Sequence, residues 1–133
     1  YALRDTGLTK LNEDIVVPRS RLGDLFDFAE RLQTKYQIAV ACFGHAGDGN
    51  IHTNLMVDFQ QAGARERAEA ALDELFRQIL SWGGAITGEH GIGLAKRRWW
   101  PLAAEPEVIE LHRRIKKALD PRGILNPGKF LEP

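Results

Sequence analysis

At 133 residues the chain is the size of one domain with a single modest core. Apolar residues at 44% and charged residues at 27% are ordinary for a globular protein. Eighteen basic residues balance eighteen acidic ones, which leaves no net field to draw in nucleic acid or an anionic membrane. No apolar run approaches the ~20 residues of a membrane span, and no signal peptide is visible. The single cysteine, Cys42, sits in an apolar run and cannot close an internal disulfide, so a cytoplasmic location is expected. The chain opens at Tyr1 and its first dozen residues resemble the interior of something larger, so it reads as a fragment of a longer polypeptide.

In chain order, Asp14-Ile15-Val16-Val17 is a short β-branched run closed by Pro18, which predicts a strand. Ser20 can cap a helix through Tyr36, along which Leu22, Leu25, Phe26, Ala29 and Leu32 recur at helical spacing. Ile38 to Phe43 and Ile51 to Asp58 predict two strands joined by a glycine-rich turn. Ala64 to Trp82 carries Ala68, Leu72, Leu75, Phe76, Ile79 and Leu80 on one helical stripe, and Gly83-Gly84 ends it. Ala85-Ile86-Thr87 can form a last strand, and a further helix runs from about Pro106 to Leu119, where Asp120-Pro121 stops it. The order strand, helix, strand, strand, helix, strand is the split βαβ, ferredoxin-like pattern, followed by a C-terminal helix and tail. The expected fold is therefore α+β, with helices on one face of an antiparallel sheet. In the third strand Ile51, Thr53, Leu55 and Val57 alternate with His52, Asn54 and Met56, which sends His52 to the uncovered face. That face allows a homodimer. No internal repeat or low-complexity segment is present.

Two segments carry chemistry. His45 and His52 bracket the turn Gly47-Asp48-Gly49-Asn50, and Gly88-Glu89-His90-Gly91-Ile92-Gly93 follows where the chain leaves the last strand. Glycine and Asx residues are what any hairpin uses to reach positive φ, so the turn alone says little. Two histidines on its shoulders, with Glu89 from another loop, form a clamp of imidazole and carboxylate suited to a borderline divalent metal. A histidine left over beside that set, His90, is placed to accept a proton. The competing interpretation of the Glu-His segment is a flexible surface loop. Lys96-Arg97-Arg98 before Trp99-Trp100 has a basic-aromatic look, but the balanced charge argues against nucleic acid; packing of the tryptophans at a domain junction is expected instead. His112 falls in register with Val108, Ile115 and Leu119 and is expected in a core or interface. The turn-rich tail is either a plain coil or a proline-stiffened segment whose Asn126 and Lys129 donate to an anionic group.

Four segments, in this order, resemble one family. They are Lys10-Leu11-Asn12-Glu13-Asp14-Ile15-Val16-Val17-Pro18, Gly44 to His52, Gly88-Glu89-His90-Gly91-Ile92-Gly93, and Asn126-Pro127-Gly128-Lys129. Together they resemble the C-terminal domain of FAD-linked oxidases of the glycolate oxidase large-subunit and D-lactate or D-2-hydroxyglutarate dehydrogenase type, in the vanillyl-alcohol-oxidase superfamily. The resemblance covers essentially the whole chain. It implies a substrate or cap domain whose FAD is held mainly by a preceding FAD-binding domain of the same polypeptide. It also implies a divalent metal such as zinc or manganese on His45, His52 and Glu89, with His90 as the catalytic base. Arg4 and Lys10 correspond loosely to cations for the substrate carboxylate, and Asn126 and Lys129 to a tail returning toward the flavin or substrate. The implied reaction is oxidation of a small 2-hydroxy acid, the metal lowering the hydroxyl pKa, His90 taking the proton and hydride passing to FAD.

Two other readings stand beside this one. A self-contained metal hydrolase would use the same three ligands with a bound water. A ferredoxin-like binding or dimerisation module would do no chemistry.

Overall fold

A computed structural model describes residues 7–131. They fall into two compact units, one ending at His90 and one beginning at Gly91.

The first unit opens with β1 (Thr9–Val16), followed by a short 3₁₀ turn (Arg19–Arg21), α1 (Leu22–Tyr36), β2 (Ala39–His45), β3 (Asn50–Val57) and α2 (Ala64–Ser81). Among the described residues the sheet has three strands in the order β1-β3-β2, antiparallel throughout. This is the predicted α+β arrangement. α1 packs on β2, and α2 on β3 and α1. The core lies between them. Ile15, Leu55, Leu25, Leu75, Phe76 and Ile79 are completely buried, each removing a large apolar side chain from water at roughly 1.5–3 kcal/mol apiece.

The helix boundaries follow from local chemistry. Ser20 does not cap α1: it lies inside the 3₁₀ turn, Arg21 occupies the position before the helix without a side-chain cap bond, and the Arg21 N–H is satisfied instead by the Pro18 carbonyl at 2.7 Å. The tight turn that Pro18 starts has displaced the expected cap. α2 ends as its glycines predict. Gly83 takes positive φ, its N–H reaches the Leu80 carbonyl at 2.9 Å, and the Gly84 N–H reaches Ile79 at 3.0 Å. That is a Schellman stop. The next segment departs from expectation. Ala85-Ile86-Thr87 does not form a strand; Ala85 makes an isolated bridge, exchanging two 2.9 Å hydrogen bonds with Val16 on the outer edge of β1.

The second unit holds a 3₁₀ turn (Arg97–Trp99), α3 (Trp100–Ala103) and α4 (Pro106–Leu119). Pro106 starts α4 at the position where a missing N–H costs nothing. The expected core role of His112 becomes something more local. Its half-buried ring packs edge-on against Trp100 and Phe130, with Nδ1 2.7 Å from the Val108 carbonyl. The basic-aromatic segment is used internally: Arg97 donates to the Gly128 carbonyl at 2.8 Å, Arg98 lies over Trp99, and Lys96 is buried. The tail is pinned as well. The Asp120 carboxylate accepts the N–H groups of Ile124 (3.0 Å) and Leu125 (2.9 Å) and the Lys116 ammonium (2.6 Å).

Candidate functional site

Antiparallel partners point to the same side of a sheet. Asp14 lies opposite His52, which lies opposite Phe43; two pairs along, Val16 faces Asn50, which faces His45. Asp14, Asn50, His52, Phe43 and His45 therefore share a face, and Ile15, Ile51 and Leu55 point the other way into the core. The parity expected for His52 is the one found. Its ring is tilted against Phe43 at 5.6 Å between centres, lies 6.4 Å from His45, and stacks on His90 at 5.3 Å.

The turn joining β2 and β3 holds the histidine-bearing strand ends at a fixed spacing. The Gly49 N–H returns to the His45 carbonyl at 3.0 Å, and the Asp48 carboxylate accepts the Asn50 N–H at 3.0 Å. Gly49 has φ +78° and lies against the Val17 carbonyl, so a side chain there would meet both strain and a backbone clash.

Beyond Ala85 the chain turns across the His52 face, and Asp14 is what it turns onto. This carboxylate is fully buried. Its Oδ2 accepts the N–H groups of Gly88, Glu89 and His90, each at 2.8 Å, and the Thr87 hydroxyl at 3.0 Å. Its Oδ1 accepts from the Asn50 side-chain amide, which also reaches the Ile15 carbonyl. Consecutive backbone N–H groups closing on one anion form a nest. Burial alone would push the carboxyl pKa up, but the His90 N–H, the Asn50 amide and the Glu89 and Gly88 N–H groups outweigh it and hold Asp14 well below the usual carboxylate range. Gly88 makes the approach feasible: a Cβ there would collide with the Asn50 amide and sit 2.9 Å from Asp14.

The loop so held presents Glu89 and His90 to His52. His52 Nε2 is 3.4 Å, and His90 Nε2 3.6 Å, from Glu89 Oε1. One ligand atom from each of the three lies within 4.8 Å of the others. Zinc-type ions hold imidazole and carboxylate donors at about 2.0–2.2 Å, so neighbouring donors stand roughly 3–4 Å apart. The spacing fits such an ion. His52 Nε2 is the ring nitrogen that faces Glu89, while its Nδ1 is buried with no hydrogen-bond partner among the described residues.

Of the residues named from sequence, His52, Glu89 and His90 are thus brought together. His45 is on the same face but exposed at the strand end, outside that close trio. Lys10 is an exposed residue of β1, four positions from Asp14, or about 13 Å along a strand. Arg4 lies outside the described residues. Asn126 and Lys129 are exposed in the tail of the second unit, Asn126 with φ 47°. Sequence reasoning missed Asp14, taken only as the start of a strand, and Asn50, taken only as a turn former. The available signal was an acid entering a β-branched run, a placement that burial tolerates only when the acid is well partnered.

The sequence model of the family described as FAD linked oxidases, C-terminal domain, matches residues 1–130. The glycolate oxidase subunit GlcD of Bacillus subtilis is 40% identical over 122 residues, which is 92% of this chain and 26% of that protein. The mitochondrial D-lactate dehydrogenase [cytochrome] of Arabidopsis thaliana is 36% identical, over 90% of this chain and 21% of its own length. The D-lactate dehydrogenase of Anaerostipes hadrus is 32% identical over 88% and 25% respectively. The chain spans about a quarter of the length of these relatives. With a match across nearly all of its residues, the chain belongs to the family of C-terminal domains of FAD-linked oxidases.

Proposed function

We propose that this domain supplies the metal ligands and the proton acceptor of a flavin-dependent 2-hydroxy acid dehydrogenase or oxidase, of the glycolate or D-lactate type, whose FAD is held by another part of the same polypeptide. The observation that carries this is the convergence of His52, Glu89 and His90 on one sheet face in a chain that belongs to an FAD-linked family. His52 and Glu89 form the fixed pair of ligands. His45 completes the set by a side-chain rotation open to an exposed residue, its ring already standing 6.4 Å from that of His52. His90 is then left to accept the substrate hydroxyl proton at an imidazole nitrogen.

When bound, a divalent metal such as zinc or manganese supplies positive charge for the carboxylate and hydroxyl oxygens, and FAD takes up the electrons. The chain's own part is orientation and proton handling. The stacking of His90 on His52 keeps the acceptor against the ligand cluster, and Phe43 packs at a tilt against the His52 ring. Lys10, Arg4, Asn126 and Lys129 are assigned to the substrate carboxylate and the flavin, on the strength of the motif resemblance.

The test uses the full-length flavoprotein with glycolate, D-lactate and D-2-hydroxyglutarate, following flavin bleaching and metal content together. His45→Ala and His52→Ala are expected to lose metal. His90→Ala is expected to keep metal and lose turnover by roughly 10²–10⁴-fold. Absence of bleaching with every 2-hydroxy acid overturns the assignment. Metal loss in His90→Ala with full retention in His45→Ala reverses the two roles.

A further inference from the structure

Glu89 and His90 stand on a loop, and loops are poor places for groups that must hold position unless something rigid fixes them. The fixing group is not on the loop. We propose that Asp14, bridged by Asn50, is the positioning residue of the site: its carboxylate grips the N–H groups of Gly88, Glu89 and His90 and sets where the Glu89 and His90 side chains stand relative to His52.

Three features carry this. Asp14 is directly opposite His52 in the β1–β3 register, so anchor and ligand share one rigid ladder pair. The bonds go to the backbone of the very residues that bear the chemistry, which fixes the Cα positions from which both side chains project. Asn50 ties the same carboxylate to the end of the turn that separates His45 from His52, so both histidine-bearing segments refer to one group. Gly88 is required by this arrangement, since any Cβ would enter the Asn50–Asp14 contact. A carboxylate that merely stabilised the fold would not need to close on three successive N–H groups at the chemical loop. The catalytic consequence rests on the proposed function; the geometric one does not.

The test uses the full-length flavoprotein and Asp14→Asn, which keeps the shape of the side chain and removes its charge. Amide hydrogen exchange over residues 87–91 is expected to accelerate about a hundredfold, the scale of losing charge-assisted bonds, with exchange in β3 and α2 unchanged. Cobalt(II) affinity is expected to fall at least tenfold on the scale seen when outer partners of ligands are removed, and kcat to fall with KM little changed. Exchange and cobalt affinity within twofold of the parent overturn the proposal. If Asp14→Asn does not fold, Asn50→Ser reads the same loop: about tenfold faster exchange there supports the role and unchanged exchange sinks it. A parent protein that neither binds cobalt nor bleaches with any 2-hydroxy acid disproves the functional assignment alone, because loop exchange in the variant still decides whether Asp14 is the anchor.

Discussion

Two glycines flank Asp48 in the hairpin turn, and they do different jobs. A Cβ on Gly47 would meet open space, whereas Gly49 has φ +78° and would drive a Cβ into the Val17 carbonyl. Gly47→Ala is therefore expected to be neutral within about 0.5 kcal/mol. Gly49→Ala is expected to lose about 1–3 kcal/mol through strain and forced displacement of the β1 end. Denaturant melts of the two variants check this; equal effects would remove the close approach as the reason for Gly49. The sequence announces a tight turn here but cannot say which glycine the tertiary contact needs, because the contact is with a residue more than thirty positions earlier. The same limit hid Asp14. Its partners are 36 to 76 residues away, beyond any local pattern. By contrast His52 was legible, since the alternation of one strand assigns it to a face without reference to anything distant.

At the level of elements, long periodic segments were readable to within a residue or two, while short and side-chain-controlled ones were not. α2 begins at Ala64 and stops at its paired glycines because an amphipathic stripe and a left-handed stop are both local properties. The predicted fourth strand is reduced to the single Val16–Ala85 bridge, and just beyond it the Asp14 carboxylate gathers the Gly88, Glu89 and His90 N–H groups into a turn. The tail shows the same device on a smaller scale. Asp120, legible only as a helix stop, collects Lys116 and the Ile124 and Leu125 N–H groups. The Lys116 ammonium above all, with the Leu125 and Ile124 N–H groups, lowers the Asp120 pKa against the opposing effect of burial. A depressed carboxyl stabilises the folded tail above its unfolded pKa of about 3.9, and that contribution is lost as pH falls from there through the lower folded value. The tail is therefore expected to stay pinned at neutral pH and loosen in acid. Amide signals of Ile124 and Leu125 followed against pH report it. Asp120→Asn is expected to remove the acid-dependent change; a variant with the same pH response would exclude Asp120 as its source.

For the molecule as a whole, buried apolar side chains are concentrated in the first unit. β3 is buried along nearly its whole length and paired on both sides, and α2 contributes Ala68, Ala71, Leu75, Phe76 and Ile79 to the core. α4 has no fully buried residue, and Leu111, Ile115 and Leu119 are all about half exposed or more. In native-state hydrogen exchange on this 133-residue chain, β3 and α2 amides are expected to open only with global unfolding, and α4 amides by local opening at much lower cost. Equal protection in α4 and β3 would contradict this. Among the described residues no helix is long and apolar enough to cross a membrane. The clustered donors come from residues 52, 89 and 90, and the carboxylate that arranges them from residue 14. In an unfolded polypeptide His52 stands far along the chain from the Glu89-His90 pair, so the proposed metal cluster exists only once the domain is folded.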